Sequence, residues 1–229
     1  LTHLGVVPVI HIPTREEGYG LHVDKVEDLA KEGVDLIVCL DCGSSNAAEI
    51  AHARSLGVDT IVIDHHEMGP EAPPAAALIN PKRRDSRFPT RDLAACGVTF
   101  FFLLGMRRVM HGRGLIPAHI NLKNELDLVT VGTVGDMVPL TGDNRILVRH
   151  GMEVMNAKPR AWLKAMLDSR VISKGLINEF ALGFIIVPRI NAAGRVARPH
   201  TALDFLVARE TGSALNLLAH LQKLNNLRQ

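Results

Sequence analysis

The feature that most constrains the fold is the segment from Val58 to Glu67, where an apolar, β-branched run ends abruptly in polar residues. Such a run has the composition of a β-strand, and its continuous apolarity predicts a strand that is covered on both faces. Asp64, His65 and His66 follow the run directly. Ligands of open α/β sheets bind at the carboxyl ends of the strands, so the segment predicts both a parallel sheet and the position of its site.

A second strand and a helix precede this segment. The run from Asp35 to Leu40 predicts another buried strand, and Asp41 follows it. The helix between the two strands should begin at Asn46, with Glu49 as the reciprocal capping residue. Strand, helix and strand joined by short loops predict a parallel pair with a right-handed crossover. Residues 6–10 form a further strand candidate, which Pro8 would place at an edge.

From about residue 93 onwards, the apolar spacing is that of helices. We therefore predict an α/β fold, in which a parallel Rossmann-like sheet flanked by helices is followed by a mainly helical region. The corresponding segments are a partial α/β core (1–92), a helical remainder (93–209) and the start of a connecting helix (210–229).

Asp41 and Asp64 occupy equivalent positions, since each is the first polar residue after a strand. Neighbouring strands lie about 4.8 Å apart, so adjacent strands would bring both carboxylates and His65 into one small volume. A single aspartate at a strand end is commonly a cap or turn residue. Two aspartates with a histidine pair favour a metal site instead. Because successive residues of an extended chain point to opposite sides, we expect His65 and His66 to divide ligation and substrate contact, with Asp64 ligating or supporting a histidine.

A third carboxylate, Asp136, follows an apolar helix between Gly135 and Met137. Its position fits a turn residue and a metal ligand equally well. Together, Asp41, His65 and Asp136 would form a mixed oxygen and nitrogen shell. Such a shell suits Mn²⁺ or Mg²⁺ better than a closed structural zinc site, and a pair of metals would need further carboxylates.

The segment from Pro188 to Arg195 predicts a loop with phosphate-binding groups. Arg189, Asn191 and Arg195 supply two cations and an amide within seven residues, and Gly194 permits close approach of the backbone. Guanidinium groups match phosphate oxygens in geometry. A surface loop held by salt bridges explains the same composition equally well, so both interpretations stay open.

Two further segments have alternative interpretations. Arg15 and Tyr19 lie in a glycine-containing loop, where the tyrosine could stack on a base or simply pack against the protein. Residues 80–90, NPKRRDSRFPT, are polar and basic. Spacing alone favours a solvated loop there over a phosphate-facing surface.

Composition limits the class of protein only loosely. A net charge of +2 neither proves nor excludes a nucleic-acid partner. The longest charge-free apolar stretch, residues 93–106, is shorter than the roughly 20 residues that span a bilayer, so no membrane partner is expected. The three cysteines favour free thiols in a reducing cytoplasm. The first ten residues have the pattern of the second half of a βαβ unit, so we expect the beginning of the domain to be missing.

Five short motifs occur in a fixed order: EGYG, DCG, DHH, GDMVPL and RINAAGR, with Asp64 following Asp41 by 23 residues. Each motif alone is unspecific. Together they resemble the RecJ-like single-stranded-DNA-specific exonucleases of the DHH phosphoesterase superfamily, over nearly the whole chain. The resemblance implies a metal-dependent phosphodiesterase that degrades single-stranded DNA from 5′ to 3′ in DNA repair and recombination. It also implies Mn²⁺ or Mg²⁺ at a two-metal site.

The resemblance further implies a role for each site residue. Asp41 would bridge the metals, with His65 and Asp136 as ligands. His66 would contact the scissile phosphate, and Asp64 would support the histidines.

The substrate contacts follow in the same way. Arg189, Asn191 and Arg195, with Gly194 beside them, would bind the substrate phosphate, and the loop that contains Arg15 and Tyr19 would line the DNA path. The implied partners are single-stranded DNA, a single-strand-binding protein and a RecQ-type helicase.

The chain departs from the family pattern at its beginning, because an Asp-rich first motif that supplies further ligands has no match before Val6. We therefore expect weak metal binding and little or no nuclease activity from this chain alone. The alternatives are a DHH oligoribonuclease or cyclic-dinucleotide phosphodiesterase, and a non-catalytic nucleic-acid-binding relative. Retention of Asp41, His65, His66 and Asp136 argues against the last of these.

Overall fold

A computed structural model of the chain describes residues 5–117, 120–173, 175, 177–196 and 199–228, without the side chains of Arg195, Val196 and Arg228. It divides into two compact units. The sheet unit comprises Tyr19–Met106 and Val138–Asn144, and the helical unit comprises Leu1–Gly18, Arg107–Met137 and Arg145–Gln229. These units interleave along the chain, whereas the predicted segments 1–92, 93–209 and 210–229 are consecutive. The segments stay a prediction.

The sheet unit contains a three-stranded parallel sheet in the order β1-β2-β3, which confirms the predicted parallel α/β arrangement. The strands are β1 (Leu36–Leu40), β2 (Asp59–Ile63) and β3 (Ala77–Ile79). Helices α1 (Val23–Lys31) and α2 (Ala47–Ser55) pack on one face of it. The core of this unit is apolar and includes Val26, Leu29, Ile37, Cys39, Ile50, Ala53 and Val62.

The expectation that β1 is buried on both faces is wrong. Ile37 and Cys39 are buried against the helices, but Leu36, Val38 and Leu40 are 47%, 43% and 53% exposed. In the described sheet β1 is an edge strand, with helices covering one of its faces. Alternating burial is the usual consequence of such one-sided packing.

The strand predicted at residues 6–10 is also wrong, because none of these residues lies in a strand of the described sheet. Val7 is 88% exposed and Val9 is 63% exposed. Pro8 has no N–H to donate to a ladder, which weakens strand pairing at this position. The three cysteines are free thiols, as expected.

The rest of the chain is helical, as predicted. The elements are α3 (Ala95–Gly112), a 3₁₀ turn (Leu122–Glu125), α4 (Leu126–Gly135), α5 (Gly142–Ala157), α6 (Ala161–Asp168), a π-helical segment (Ala181–Ile186), α7 (Val187–Val196), α8 (His200–Val207) and α9 (Thr211–Arg228). The helical unit packs around Trp162, whose ring meets Phe205 edge to face at 6.1 Å. Within the described part of the chain, no helix has the length and apolarity needed to cross a membrane.

The predicted RINAAGR loop is wrong, since these residues lie within α7. The π-helical segment runs directly into α7, and Pro188, which has no N–H to donate, lies at this junction. Ala192 and Ala193 are strong helix formers and are fully buried in the core of the helical unit. Gly194 is exposed, and a single glycine in a helix only weakens it.

A buried ion pair links α4 to the start of α6. Arg160 Nε donates to Asp127 Oδ2 at 2.6 Å, and its Nη2 donates to Glu125 Oε2 at 2.6 Å. The Asp127 side chain is only 2% exposed. Burial raises the pKa of Asp127 above its usual value, although the charge of Arg160 and its hydrogen bond act in the opposite direction.

Replacing Arg160 by methionine should lower the free energy of unfolding by about 3–5 kcal/mol near neutral pH, because Asp127 would be left as an unpaired buried charge. Without Arg160 the pKa of Asp127 should rise further. A raised folded-state pKa destabilises the fold as the pH rises through it, so the deficit should be larger at about pH 8 than at about pH 5.

Urea unfolding of both proteins at the two pH values measures this deficit. Arg149→Met is the matched control, because Arg149 pairs with Glu153 on the surface, with side chains 77% and 58% exposed. That loss should cost at most about 1 kcal/mol. A deficit of Arg160→Met that is no larger than the control's, or one that grows towards acid pH, would contradict this account.

Candidate metal centre

The three strands end at the same edge of the sheet. Beyond the end of β1, Asp41 N donates to Ile63 O at 3.0 Å, and beyond the end of β2, Asp64 N donates to Ile79 O at 3.0 Å. The ladder thus continues one residue past each strand and fixes both aspartates at the carboxyl edge. The predicted adjacency of the two strands is confirmed.

Asp41, His65 and His66 converge at this edge. Asp41 Oδ1 lies 3.2 Å from His65 Nε2 and 4.0 Å from His66 Nδ1. One ligand atom from each residue lies within 4.8 Å of the other two. Among the residues that the structure describes, no other group of three such side chains could hold a metal ion. We call these residues the Asp-His-His triad.

The expectation that the two histidines point to opposite sides is wrong, because their ring centroids are 4.6 Å apart. The chain leaves the extended conformation once β2 ends at Ile63. Asp64 Oδ1 then accepts hydrogen bonds from the backbone N–H groups of His65, at 2.7 Å, and His66, at 3.2 Å. Holding both amides at one oxygen turns the two rings towards the same volume.

Asp64 is a buried acceptor at the base of the triad, and it is 1% exposed. Besides the two amides, it accepts from His66 Nδ1 at 2.8 Å and from Ser44 N at 3.0 Å. Burial alone would raise the pKa of Asp64, but these hydrogen bonds more than offset it and hold that pKa below its usual value. The carboxylate is therefore charged, and four donors occupy its oxygens.

The backbone at Asp41 adopts an unusual conformation, with φ at +65°. A positive φ is uncommon for a residue other than glycine and is often found at functional sites. Gly43 follows at φ +109°, where a Cβ would meet the two Val62 methyl carbons at 3.0 Å. This sharp turn leaves the Asp41 carboxylate 56% exposed beside the buried His65 side chain.

Two residues of the site were not among the predicted ones. Asn80 is 4% exposed, and its Nδ2 donates to Ser44 Oγ at 2.8 Å and to His66 O at 2.9 Å. It is the first polar residue after β3, the position that Asp41 and Asp64 occupy after their own strands. The rule that singled out the aspartates therefore also predicts Asn80. Ser44 carries no comparable sequence signal.

Tyr19 contacts two residues of the triad, Asp41 and His66. Its hydroxyl donates to Asp41 O and lies 3.0 Å from His66 Nδ1, and its ring meets that of His66 edge on at 5.4 Å. Asn46 holds the Tyr19 loop in place: its Nδ2 donates to Leu21 O at 3.1 Å, and its Oδ1 accepts from Leu21 N at 3.4 Å. The expected capping of α2 by the Asn46 side chain is wrong for this reason.

The remaining predicted site residues belong to the helical unit. Asp136 is the C-cap residue of α4. Arg189 Nη1 donates to Ile185 O at 2.7 Å, and burial lowers the pKa of its guanidinium. Asn191 is exposed on α7, and Arg15 is exposed in a turn. Gly194 lies on α7, and the side chain of Arg195 lies outside the described residues. Their proposed roles stay predictions.

The triad can hold a divalent cation. Asp41 offers a carboxylate oxygen, the ligand type that suits Mn²⁺ or Mg²⁺, and the histidines offer imidazole nitrogens, which suit first-row transition metals. Two ligand atoms at right angles on an octahedral ion of this size are about 3.0 Å apart. The distance of 3.2 Å between Asp41 Oδ1 and His65 Nε2 is close to that value. Both atoms can therefore bind one ion with little movement.

Comparisons with known proteins identify a family and several relatives of this chain. The model of the DHH family, N-terminal domain, matches residues 4–133. The single-stranded-DNA-specific exonuclease RecJ of Salmonella typhimurium is 39% identical over 95% of this chain, and that of Escherichia coli is 40% identical over 95%. The chain spans only 39% of the length of each.

Solved structures show the same likeness. A crystal structure of exonuclease RecJ bound to manganese is 34% identical, with a TM-score of 0.79 over 96% of this chain and 54% of that chain. RecJ from Thermus thermophilus in complex with Mn²⁺ is 32% identical, with a TM-score of 0.76 over 91% of this chain and 30% of that chain.

Proposed function

The chain belongs to the DHH family, and from this membership and the geometry of the triad we propose that it carries the catalytic metal centre of a phosphodiesterase. Its substrate would be single-stranded DNA, degraded from the 5′ end in DNA repair and recombination. The observation that carries the proposal is the convergence of Asp41, His65 and His66 at the carboxyl edge of the sheet. The manganese-bound RecJ structures, which are similar in fold and sequence, support it.

In this proposal, Asp41 and His65 would hold Mn²⁺ or Mg²⁺, and the family resemblance makes Asp136 a further candidate ligand. A divalent ion held there would supply Lewis-acid stabilisation of the charge that develops on the phosphate oxygens during in-line attack by water. A pair of such ions would need more carboxylates than the triad provides. The exposure of Asp41, at 56%, leaves room for a phosphate beside the ligand oxygen.

His66 would contact the scissile phosphate, and Asp64 would orient it. Because a charged carboxylate can only accept, His66 Nδ1 donates the hydrogen bond of 2.8 Å to Asp64 Oδ1, and Nε2 is left for the substrate. The charged Asp64 carboxylate would hold the His66 ring in one orientation towards the phosphate. Because Asp64 also holds the His65 amide, one buried residue positions both histidines.

The wider assignments follow from the family. Arg189, Asn191 and Arg195, with Gly194, would bind the substrate phosphate, and Arg15 and Tyr19 would line the DNA path. The protein would act in the cytoplasm, with a single-strand-binding protein and a RecQ-type helicase as partners. Three free thiols are consistent with a reducing compartment.

The test is the release of mononucleotides from a labelled single strand by an excess of the 229-residue chain. We expect release only when Mn²⁺ or Mg²⁺ is present, no release from a blunt duplex, and loss of release in Asp41→Asn. Asp59→Asn is the matched control, since Asp59 is exposed at the opposite end of β2. The same assay with catalytic amounts of the chain tests the expectation that it has little or no nuclease activity alone.

Release that persists in EDTA, or that is unchanged in Asp41→Asn, would contradict the proposed function. The absence of both nucleotide release and Mn²⁺ binding would contradict it as well.

A further inference from the structure

We propose that a cleft beside the triad binds the sugar-phosphate backbone of the single strand, with Arg84 as its principal phosphate contact. The inference rests on the proposed function, which supplies a polyanionic substrate, and adds to it a second binding surface on the sheet unit. The basic segment at residues 80–90 is then a phosphate-facing surface, the alternative that spacing alone disfavours.

The cleft begins where the triad ends. Its walls are the chain from Glu67 to Ile79 and the turn from Lys82 to Asp85, and its volume is about 1100 Å³. Glu67 directly follows His66 in the sequence. Asn80, which precedes the turn, donates from Nδ2 to His66 O at 2.9 Å. A strand that reaches the triad could therefore continue into the cleft.

The size and shape of the cleft favour a polymer over a small molecule. Typical small-molecule pockets measure about 300–1,000 Å³ and enclose most of the ligand's surface. This cleft is slightly larger than that range and is open to solvent. The wall formed by the chain after Glu67 is apolar and includes Met68, Pro70, Ala72 and Pro73, which can contact sugars and base faces.

The charges in the cleft leave one cation uncompensated. Lys82 Nζ lies 3.0 Å from Glu67 Oε1, and Arg83 Nη2 lies 2.6 Å from Asp85 Oδ2. Arg84 is exposed, and among the described residues that line the cleft it is the cation with no acidic partner. A guanidinium group in this position matches a phosphate diester in charge and geometry.

The turn that carries Arg84 is fixed by its neighbours. Arg83 Nη1 donates to Leu78 O at 2.5 Å, and its Nε donates to Asp85 Oδ1 at 2.9 Å. Lys82 N donates to Asn80 Oδ1 at 2.8 Å, and Arg91 Nη2 donates to Lys82 O at 3.0 Å. Because the backbone is already held, binding a phosphate would order little more than the Arg84 side chain.

The test is the binding of a 3′-labelled oligothymidylate by the full chain, measured by fluorescence anisotropy in EDTA so that no hydrolysis occurs. Arg84→Ala should weaken binding by about five- to tenfold at low salt, the loss of one charged contact. It should also reduce the slope of log K against log salt by about 0.7, the value for one phosphate of a single strand. Arg84→Lys, which keeps the charge, should retain that slope.

Arg54→Ala is the matched control, because Arg54 is exposed on α2 in the same unit and does not line the cleft. Equal effects of Arg84→Ala and Arg54→Ala on binding would contradict the role of the cleft in binding the strand and leave the proposed function intact. So would displacement of the labelled strand by polyglutamate as readily as by unlabelled DNA. If the natural chain bound no single strand, both the cleft and the proposed substrate would fail, and Mn²⁺ binding would then decide whether the metal centre stands.

Discussion

Asp64→Asn will weaken Mn²⁺ binding about 10- to 100-fold, the loss seen when a residue that orients metal ligands is removed. Asn has the shape of Asp but offers one acceptor oxygen in place of two. Asp64 Oδ1 accepts three hydrogen bonds and Oδ2 accepts one from Ser44 N. The amide NH₂ group must therefore face at least one N–H donor, and the His66 imidazole loses its charged partner.

The measurement is a titration with Mn²⁺, in which electron paramagnetic resonance reports the free ion. Circular dichroism and urea unfolding should show a folded variant that is less stable by about 1–3 kcal/mol, the cost of an unsatisfied buried donor. The control is Asp59→Asn, which makes the same change at the exposed amino end of β2. A manganese affinity within twofold of the natural chain's would show that Asp64 does not position the ligands.

Gly151→Ala should strongly destabilise the helical unit. A Cβ at Gly151 would overlap Thr130 Oγ1 and the backbone O of Leu126, both on α4. The distances from that Cβ to both oxygens would be much shorter than van der Waals contact. The Thr130 hydroxyl already donates to Leu147 O at 3.4 Å and is buried. Since a helix backbone cannot yield as a side chain can, α5 would have to move away from α4. We expect a loss of about 3 kcal/mol, the upper end of the overpacking range.

Urea unfolding compares this variant with Gly105→Ala, the same substitution within α3. A Cβ at Gly105 meets nothing within 4 Å. Alanine is favoured over glycine in a helix by about 0.5–1 kcal/mol, so the control should be neutral or slightly more stable. Similar stabilities of the two variants would contradict the close approach of α5 to α4.

Local rules predict the sheet and the meeting of two of the three triad residues, Asp41 and His65. Asp41 and Asp64 each follow an apolar run, and short connections through a helix make adjacent parallel strands the expected result. The carboxyl ends of such strands share one edge, so the meeting of Asp41 with His65 needs no tertiary information. The same rule predicts Asn80, which follows β3.

The rest depends on contacts that the sequence does not reveal. Both imidazoles point into one volume because the Asp64 carboxylate holds two consecutive amides, a geometry that strand alternation does not foresee. Asn46 has the composition of a helix cap, but its side chain binds the backbone of Leu21, 25 residues earlier. Pro188 and Gly194 suggest a loop, although the fully buried Ala192 and Ala193 are packed as part of α7.

The central claim is that the carboxyl edge of the sheet, at Asp41, His65 and His66, binds a divalent cation. It is tested most directly by a substoichiometric Mn²⁺ titration of the natural chain, followed through the imidazole NMR signals of its 11 histidines. Paramagnetic broadening should affect the signals of His65 and His66 first, and it should disappear in Asp41→Asn. Broadening that begins at other histidines, or that is unchanged in Asp41→Asn, would contradict the assignment of the metal centre.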